Sequence, residues 1–301
     1  MTLSEPTAQA LAEIGIDPQY VDELAQRALA EDLGGPRGVD VTTVATFDAE
    51  QMVTAEVVAR AAGIIVGLPI AAAVFDVASG GRCSFTAHVA EASAVLRGDV
   101  LATIVGPARA VLTAERTALN LLCRTSGVAT HAFLWAQELV GTGATVLDTR
   151  KTTPGLRRLE KYAVRAGGGG NKRMGLYDVA MIKDNHKRAA GSITAAYKKI
   201  QDAFPDIITQ VEVTNVDEAL EAVKAGATFL LCDNMTTDQL TEVVAAVREA
   251  EDKAHPVELE ATGNLTLERA KEVAATGVNY LSVGGLTHSS PIVDIALDIR
   301  D

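Results

Sequence analysis

The sequence predicts an α/β protein, with an N-terminal α+β unit and a C-terminal unit built on a parallel sheet, open or closed into a barrel. Three observations lead there. The 301 residues are 48% hydrophobic and only 4% aromatic, a composition suited to densely packed helices and strands and unlike that of a disordered or fibrous chain. From residue 207 to 283, apolar runs alternate with helical patterns, the rhythm of strand–helix–strand units. Asp148, Lys183, Glu212, Asp233, Glu260 and the Gly284-Gly285 pair all fall at the C-terminal ends of expected strands, where barrels gather their functional residues.

Taken in order, residues 17–33 place Val21, Leu24, Ala28 and Leu29 on one helical face and stop at Gly34-Gly35-Pro36. Val/Ile alternation predicts strands between 51 and 66. A helix is expected over 68–78 and a strand over 83–90. Gly98-Asp99 turns into a further strand that ends at Gly106 and closes an α+β unit near residue 107. Residues 109–140 predict a long helix, broken near Ser126-Gly127. A short strand follows at 144–147. Beyond it, strands are expected at 207–213, 228–232, 257–260 and 280–283, with helices at 216–225, 237–249 and 266–275. The run Val211-Glu212-Val213 with Lys224-Ala225-Gly226-Ala227 is echoed by Val257-Glu258-Leu259 with Ala275-Thr276-Gly277-Val278, and such repetition suits a barrel.

Charge narrows the function. The chain has a net charge of −12, yet the 39 residues from Arg150 to Arg188 hold 11 of its 27 lysines and arginines and only three acids, Glu160, Asp178 and Asp184. Positive charge concentrated in an otherwise anion-repelling chain reads as a built site for a small anion. The acidic remainder excludes general nucleic-acid affinity, which needs a basic face. The first residues carry neither the basic nor the apolar stretch of a targeting peptide, and no apolar run approaches the ~20 residues of a membrane span. A soluble cytoplasmic protein without a membrane partner is expected. Cys83, Cys123 and Cys232 are far apart and lack metal or redox spacing, as befits buried thiols in a reducing compartment.

Four segments carry the chemistry. Asp148-Thr149-Arg150-Lys151-Thr152-Thr153-Pro154-Gly155 leaves a strand for a helix, and adjacent Arg and Lys there suit a dianion: a planar fork for carboxylate, a point charge for phosphate. Gly167–Gly170 followed by Asn171-Lys172-Arg173 would expose backbone N–H groups to an oxyanion, although the spacing is not that of a Walker A loop. In Ile182-Lys183-Asp184-Asn185-His186 the lysine emerges from a strand; it reads as a phosphate contact, with a Schiff-base lysine as the alternative. Glu212 and Asp233 could hold Mg²⁺ with substrate phosphates or offset charge on a ribose carbon. Ala261-Thr262-Gly263-Asn264 and Ser282-Val283-Gly284-Gly285-Leu286-Thr287-His288 follow late strands, where glycine-rich loops cradle phosphate.

Together these residues resemble the quinolinate phosphoribosyltransferase family. The resemblance covers nearly the whole chain and rests on TAERTALNLLCRTSGVAT from Thr113, DTRKTTPG from Asp148, residues 161–173, MIKDNH from Met181 and SVGGLTHS from Ser282, with Glu31-Asp32-Leu33-Gly34 and Asp40-Val41-Thr42-Thr43 as an N-terminal signature. It implies an N-terminal α/β sandwich domain (1–115), an incomplete TIM-like α/β barrel (116–290) and a C-terminal segment (291–301) returning to the first domain. It implies a homodimer, or a larger assembly, with shared sites, in which Arg116 reaches across to quinolinate. Arg150 and Arg173 would hold its carboxylates. Lys151 and Lys183 would contact phosphoribosyl pyrophosphate and quinolinate, and Glu212 and Asp233 the Mg²⁺-pyrophosphate and ribose end, binding the metal directly or indirectly. Thr262, Gly263, Gly284 and His288 would take the 5-phosphate. No organic cofactor is expected.

The implied activity is phosphoribosyl transfer to quinolinate with decarboxylation, giving nicotinate mononucleotide for NAD biosynthesis. Lys151, Lys183, Glu212 and Asp233 are the expected catalytic residues. One departure stands out: the family's Asn-His-Arg is here Asn171-Lys172-Arg173. Lys172 grips an anion but does not titrate near neutrality as histidine does, so an electrostatic binding role is expected. It also keeps alive a sister transferase with another aromatic acceptor; a non-catalytic anion-binding protein on the same fold is the further alternative.

Overall fold

In the computed structural model, residues 3–300 are described. In chain order they form α1 (Glu5–Glu13), α2 (Pro18–Asp32), α3 (Val41–Thr46), β1 (Met52–Ala59), β2 (Gly63–Ile65), α4 (Leu68–Ser79), β3 (Ser84–Ala87), β4 (Ser93–Val95), β5 (Val100–Pro107) and α5 (Ala108–Glu138). Then come β6 (Thr145–Leu147), α6 (Arg157–Ala166), β7 (Ala180–Ile182), α7 (Asp184–Ala190), α8 (Ile193–Ala203), β8 (Thr209–Val213), α9 (Val216–Lys224) and β9 (Phe229–Asp233). The last are α10 (Thr237–Ala250), β10 (Glu258–Thr262), α11 (Ala270–Ala274), β11 (Tyr280–Ser282), α12 (Gly285–His288) and β12 (Ile295–Ile299). The chain forms two compact units: residues up to 131 with 158–167 and those from 290 onward, and residues 132–157 with 168–289.

The first unit is built on an antiparallel sheet of order β12-β1-β5-β3, with β2 and β4 as a separate ribbon. Its register sets Val57 against Leu297 and Ala55 against Ile104. Helix α4 is apolar on most of its surface, with Leu68, Ile70, Val74 and Phe75 buried, as a core helix must be. Ser4 caps α1 and is itself held by Asp76, which accepts from its N–H at 2.9 Å and its hydroxyl at 2.8 Å.

Helix α5 runs unbroken through Ser126-Gly127, against expectation. A Cβ at Gly127 would meet the Pro291 carbonyl and stand 2.8 Å from Ile292 Cα. The glycine therefore admits the C-terminal segment against the helix and does not end it.

The second unit is a six-stranded parallel sheet of order β6-β11-β10-β9-β8-β7. Both faces of this sheet are covered, and every residue of β8, Thr209, Gln210 and Glu212 included, is buried. Ser192, Asn215 and Thr236 cap α8, α9 and α10 by accepting the N–H three residues on, which fixes where each returning helix begins. Strand β10 continues two residues past its expected end, to Thr262. Glu260 is consequently a mid-strand residue, with no exposed surface. Among the described residues no helix is long and apolar enough to cross a membrane. All three cysteines are buried and unpaired, and burial pushes the Cys232 thiol up to about 12.

Candidate active site

The site of the second unit begins where β6 ends. The fully buried Asp148 accepts from Asn171 Nδ2 at 2.6 Å and from the Lys172 N–H at 2.9 Å, and its own N–H donates to Gly170 O at 3.2 Å. One carboxylate thus fastens the segment 170–172 to a strand end. Arg157 clips the facing loops: Nε donates to Thr152 Oγ1 at 2.9 Å, Nη1 to Met174 O at 3.2 Å and Nη2 to Arg150 O at 3.4 Å. Arg157 was not singled out in the sequence; its place in the basic run was the only signal.

Arg150 and Arg173 lie either side of this clip. Burial lowers the Arg173 pKa and the nearby Arg150 charge lowers it further, so the two guanidiniums feel one another. Arg173 Nη1 donates to Val179 O at 2.9 Å. Arg150 Nε is buried and has no hydrogen-bond partner among the described residues, an unusual state for a group that needs an acceptor.

Two lysines reach the strands. Lys172 Nζ forms an ion pair with Glu260 Oε1; the lysine side chain is 8% exposed and the glutamate 0%. Lys183 Nζ sits 2.8 Å from Glu212 Oε2 and is half exposed. The sheet register sets Glu212 and Glu260 on either side of Leu231, at one level. Asp233, Thr262 and Ser282 form the next level toward the strand ends. Burial, together with the Glu212 charge, raises the Asp233 pKa. Burial lowers that of Lys172, while Glu260 opposes the shift and the Lys183 and Arg173 charges add to it.

At the far strand ends, a Cβ on Gly284 would meet Lys151 Cδ at 2.9 Å and His288 Nε2 at 3.2 Å. These two side chains therefore converge on the glycine. Thr287 Oγ1 donates to Lys151 O at 2.9 Å, tying the loop after β11 to the loop after β6. Gly263 has φ +88° and lies against the Asn234 side chain, whose Oδ1 accepts from Asn264 Nδ2 at 3.0 Å. Asn234 and Asn264 both take positive φ, which asparagine tolerates best among residues with a Cβ.

The structure thus gathers Arg150, Lys151, Lys172, Arg173, Lys183, Glu212, Asp233, Thr262, Gly263, Gly284 and His288 in the second unit. Arg116 is in the first unit, exposed on α5, with its own neighbour Glu115 at 3.7 Å. The glycine run differs from expectation. The Gly167 N–H closes α6 on Ala163 O at 2.9 Å, and that of Gly170 donates to Val146 O at 2.8 Å. A Cβ at Gly170 would lie 2.7 Å from Leu147 Cδ2. Gly167 and Gly170 serve chain reversal and close packing, so their N–H groups are not offered to an anion.

Comparison with known proteins gives a consistent result. The family model for the quinolinate phosphoribosyl transferase N-terminal domain matches residues 40–126, and that for the C-terminal domain matches 128–298. The carboxylating nicotinate-nucleotide pyrophosphorylase of Mycobacterium leprae (strain TN) is 44% identical over 275 residues, 91% of this chain and 95% of that one. Decarboxylating quinolinate phosphoribosyltransferase 1 of Nicotiana glauca is 36% identical over 91% of this chain and 81% of its own. The solved nicotinate-nucleotide pyrophosphorylase of Francisella tularensis superposes with a TM-score of 0.87 at 33% identity, covering 95% of this chain and 98% of that one.

Proposed function

Because the chain belongs to the quinolinate phosphoribosyltransferase family, we propose that its site transfers phosphoribosyl from phosphoribosyl pyrophosphate to quinolinate with decarboxylation, giving nicotinate mononucleotide, pyrophosphate and CO₂ for de novo NAD biosynthesis. One observation carries the reading: a single site in which the Arg150 charge lowers the Arg173 pKa and the Lys183 and Arg173 charges lower that of Lys172, next to the Lys183–Glu212 pair and Asp233. Such a site suits a dicarboxylate meeting a polyphosphate.

Arg150 and Arg173 receive the quinolinate carboxylates with planar forks. Held there, the pyridine nitrogen attacks the anomeric carbon as its bond to pyrophosphate breaks. Positive charge develops on the ribose beside Glu212 and Asp233, while Lys151 and Lys183 meet the charge on the leaving group. The new pyridinium withdraws electrons from C2. The bond to the 2-carboxylate breaks, CO₂ departs, and the electron pair left on C2 takes up a proton. Thr262, Gly263, Gly284 and His288 hold the 5-phosphate.

Mg²⁺ fits the donor set. Glu212 and Asp233 are hard oxygen donors close enough for one to raise the other's pKa. Among the described residues no cluster of three or more His, Cys, Asp or Glu could hold a metal. A cation held by one or two carboxylates would be completed by substrate phosphates. When bound it would neutralise charge on the pyrophosphate. In this reading the protein is a cytoplasmic homodimer, and Arg116 of each subunit completes the partner's site.

The test is a product assay with quinolinate, phosphoribosyl pyrophosphate and Mg²⁺, following nicotinate mononucleotide and CO₂ together, beside a tube with nicotinate in place of quinolinate. Product from quinolinate alone is expected. Product from nicotinate would favour a sister transferase with another acceptor, a reading that Lys172 invites, and Lys172→His would be the first reversion to make.

A further inference from the structure

Lys172 is fastened at both ends. Its N–H is held by Asp148 at the end of β6, and its Nζ by Glu260 in the middle of β10. Strand β11 lies between those two in the sheet, so the lysine stem crosses it. Ser282 Oγ, at the end of β11, and the second oxygen of Glu260, Oε2, are buried with no hydrogen-bond partner among the described residues. A fully buried carboxylate is tolerated only beside a cation, and a hydrophobic pair of similar size is often as stable as a buried ion pair or more so. Packing alone therefore gives no reason for this arrangement.

Lys172 faces Glu260 from β10, Lys183 from the end of β7 and Arg173 beside it in its own loop. Two of those three neighbours repel an ammonium, and burial also disfavours it. Glu260 is the neighbour among these three that attracts it.

We propose that Glu260 is a positioning residue for the acceptor: its buried carboxylate keeps the Lys172 ammonium fixed across β11 beside Arg173, so that a dicarboxylate acceptor meets a further cation besides the arginines. This rests on the phosphoribosyl-transfer reading above and adds to it a residue that acts only through Lys172.

Glu260→Gln keeps the shape and removes the charge. The expected result is a quinolinate KM raised about tenfold or more, the loss of one charge-assisted hydrogen bond. The increase should grow as pH rises above neutrality, because the lysine without the Glu260 charge gives up its proton earlier. The KM for phosphoribosyl pyrophosphate should stay within about twofold of wild type, since that substrate meets other cations. In parallel, the pH midpoint for acetylation of Lys172 by acetic anhydride, read by mass spectrometry, should fall by about one unit or more in the variant.

An unchanged quinolinate KM and pH profile overturns the proposal, as does a uniform loss in kcat and both KM values. If Glu260→Gln does not fold, the double change Lys172→Met with Glu260→Leu removes both charges together. It should fold and show the same selective loss of quinolinate, and a wild-type KM would refute the idea. Wild-type protein that makes no product from quinolinate would reject the transferase reading alone; the acetylation midpoints would still decide whether Glu260 holds the lysine charged.

Discussion

The two units bury acids in different ways. In the first, Glu160 on α6 receives two hydrogen bonds from Arg124, at 2.8 and 3.0 Å, and Arg124 spends a further N–H on Ser290 O. Glu91 accepts from the N–H groups of Gly67 and Leu68 at the start of α4 and from the Tyr162 hydroxyl at 2.7 Å. No oxygen of either acid is left buried without a partner. In the second unit Glu260 keeps one buried oxygen unmatched among the described residues, Glu212 is held by a half-exposed lysine, and the charge of Glu212 adds to burial in raising the Asp233 pKa, with no neighbouring donors fixed on it as on Glu91 except Asn234. The contrast separates carboxylates that hold the fold, which are saturated by fixed donors, from carboxylates at the site, which are left short of partners that a substrate or cation can supply.

That division can be broken from either side. Arg124→Met removes a cation and two hydrogen bonds from the buried Glu160 and should cost about 3–5 kcal/mol of stability, read as a loss in denaturant midpoint, with KM values of the folded fraction unchanged. Lys183→Met should leave stability near wild type and lower kcat by about 10²–10³, measured in steady-state turnover with both substrates saturating. Tyr162→Phe removes one of three donors to Glu91 and should cost about 1 kcal/mol, visible as a lower Tm with kinetics intact.

The smallest stability effect is expected at Asp233. Its folded pKa is raised, so the favourable contribution belongs to the protonated form: present at low pH and lost as pH rises through the folded value. Asp233→Asn should therefore raise the Tm slightly at neutral pH, with the gain vanishing toward pH ~4, near the model-peptide value for aspartate, while turnover is lost. A fall in Tm at neutral pH would place Asp233 among the structural acids instead.

The alternating strands and helices from 207 to 283 could be read from sequence because Val, Leu and Ile recur in short strand-length segments between helical patterns, and the caps that start α9 and α10 are local. What escaped the sequence was set by distant contacts. Gly127 looks like a helix break, and only the passage of Pro291 and Ile292 shows why the helix tolerates it. Gly167–Gly170 looks like an anion loop, and only Ala163, Val146 and Leu147 show that Gly167 and Gly170 are already engaged. The basic segment marked out the Arg150, Lys172 and Arg173 neighbourhood, yet the partner of Lys172 lies 88 residues further on. Glu260 looked like a strand-end residue because Ala261-Thr262 reads as loop chemistry; pairing of Thr262 with Asp233 and Ser282 draws it into the sheet.

The register of Val57 with Leu297 has a consequence for synthesis. Strand β1 leaves the ribosome early, but its outer neighbour β12 is made among the last residues of the chain. Until then β1 is an open edge, with unpaired N–H and C=O groups that invite pairing with other chains. The parallel-sheet unit lies wholly between those two strands in the order of translation, so it can be complete while the sheet begun before it still waits for its last member. A nascent chain stalled just short of Ile295 would be finished in its catalytic half and adhesive in the other.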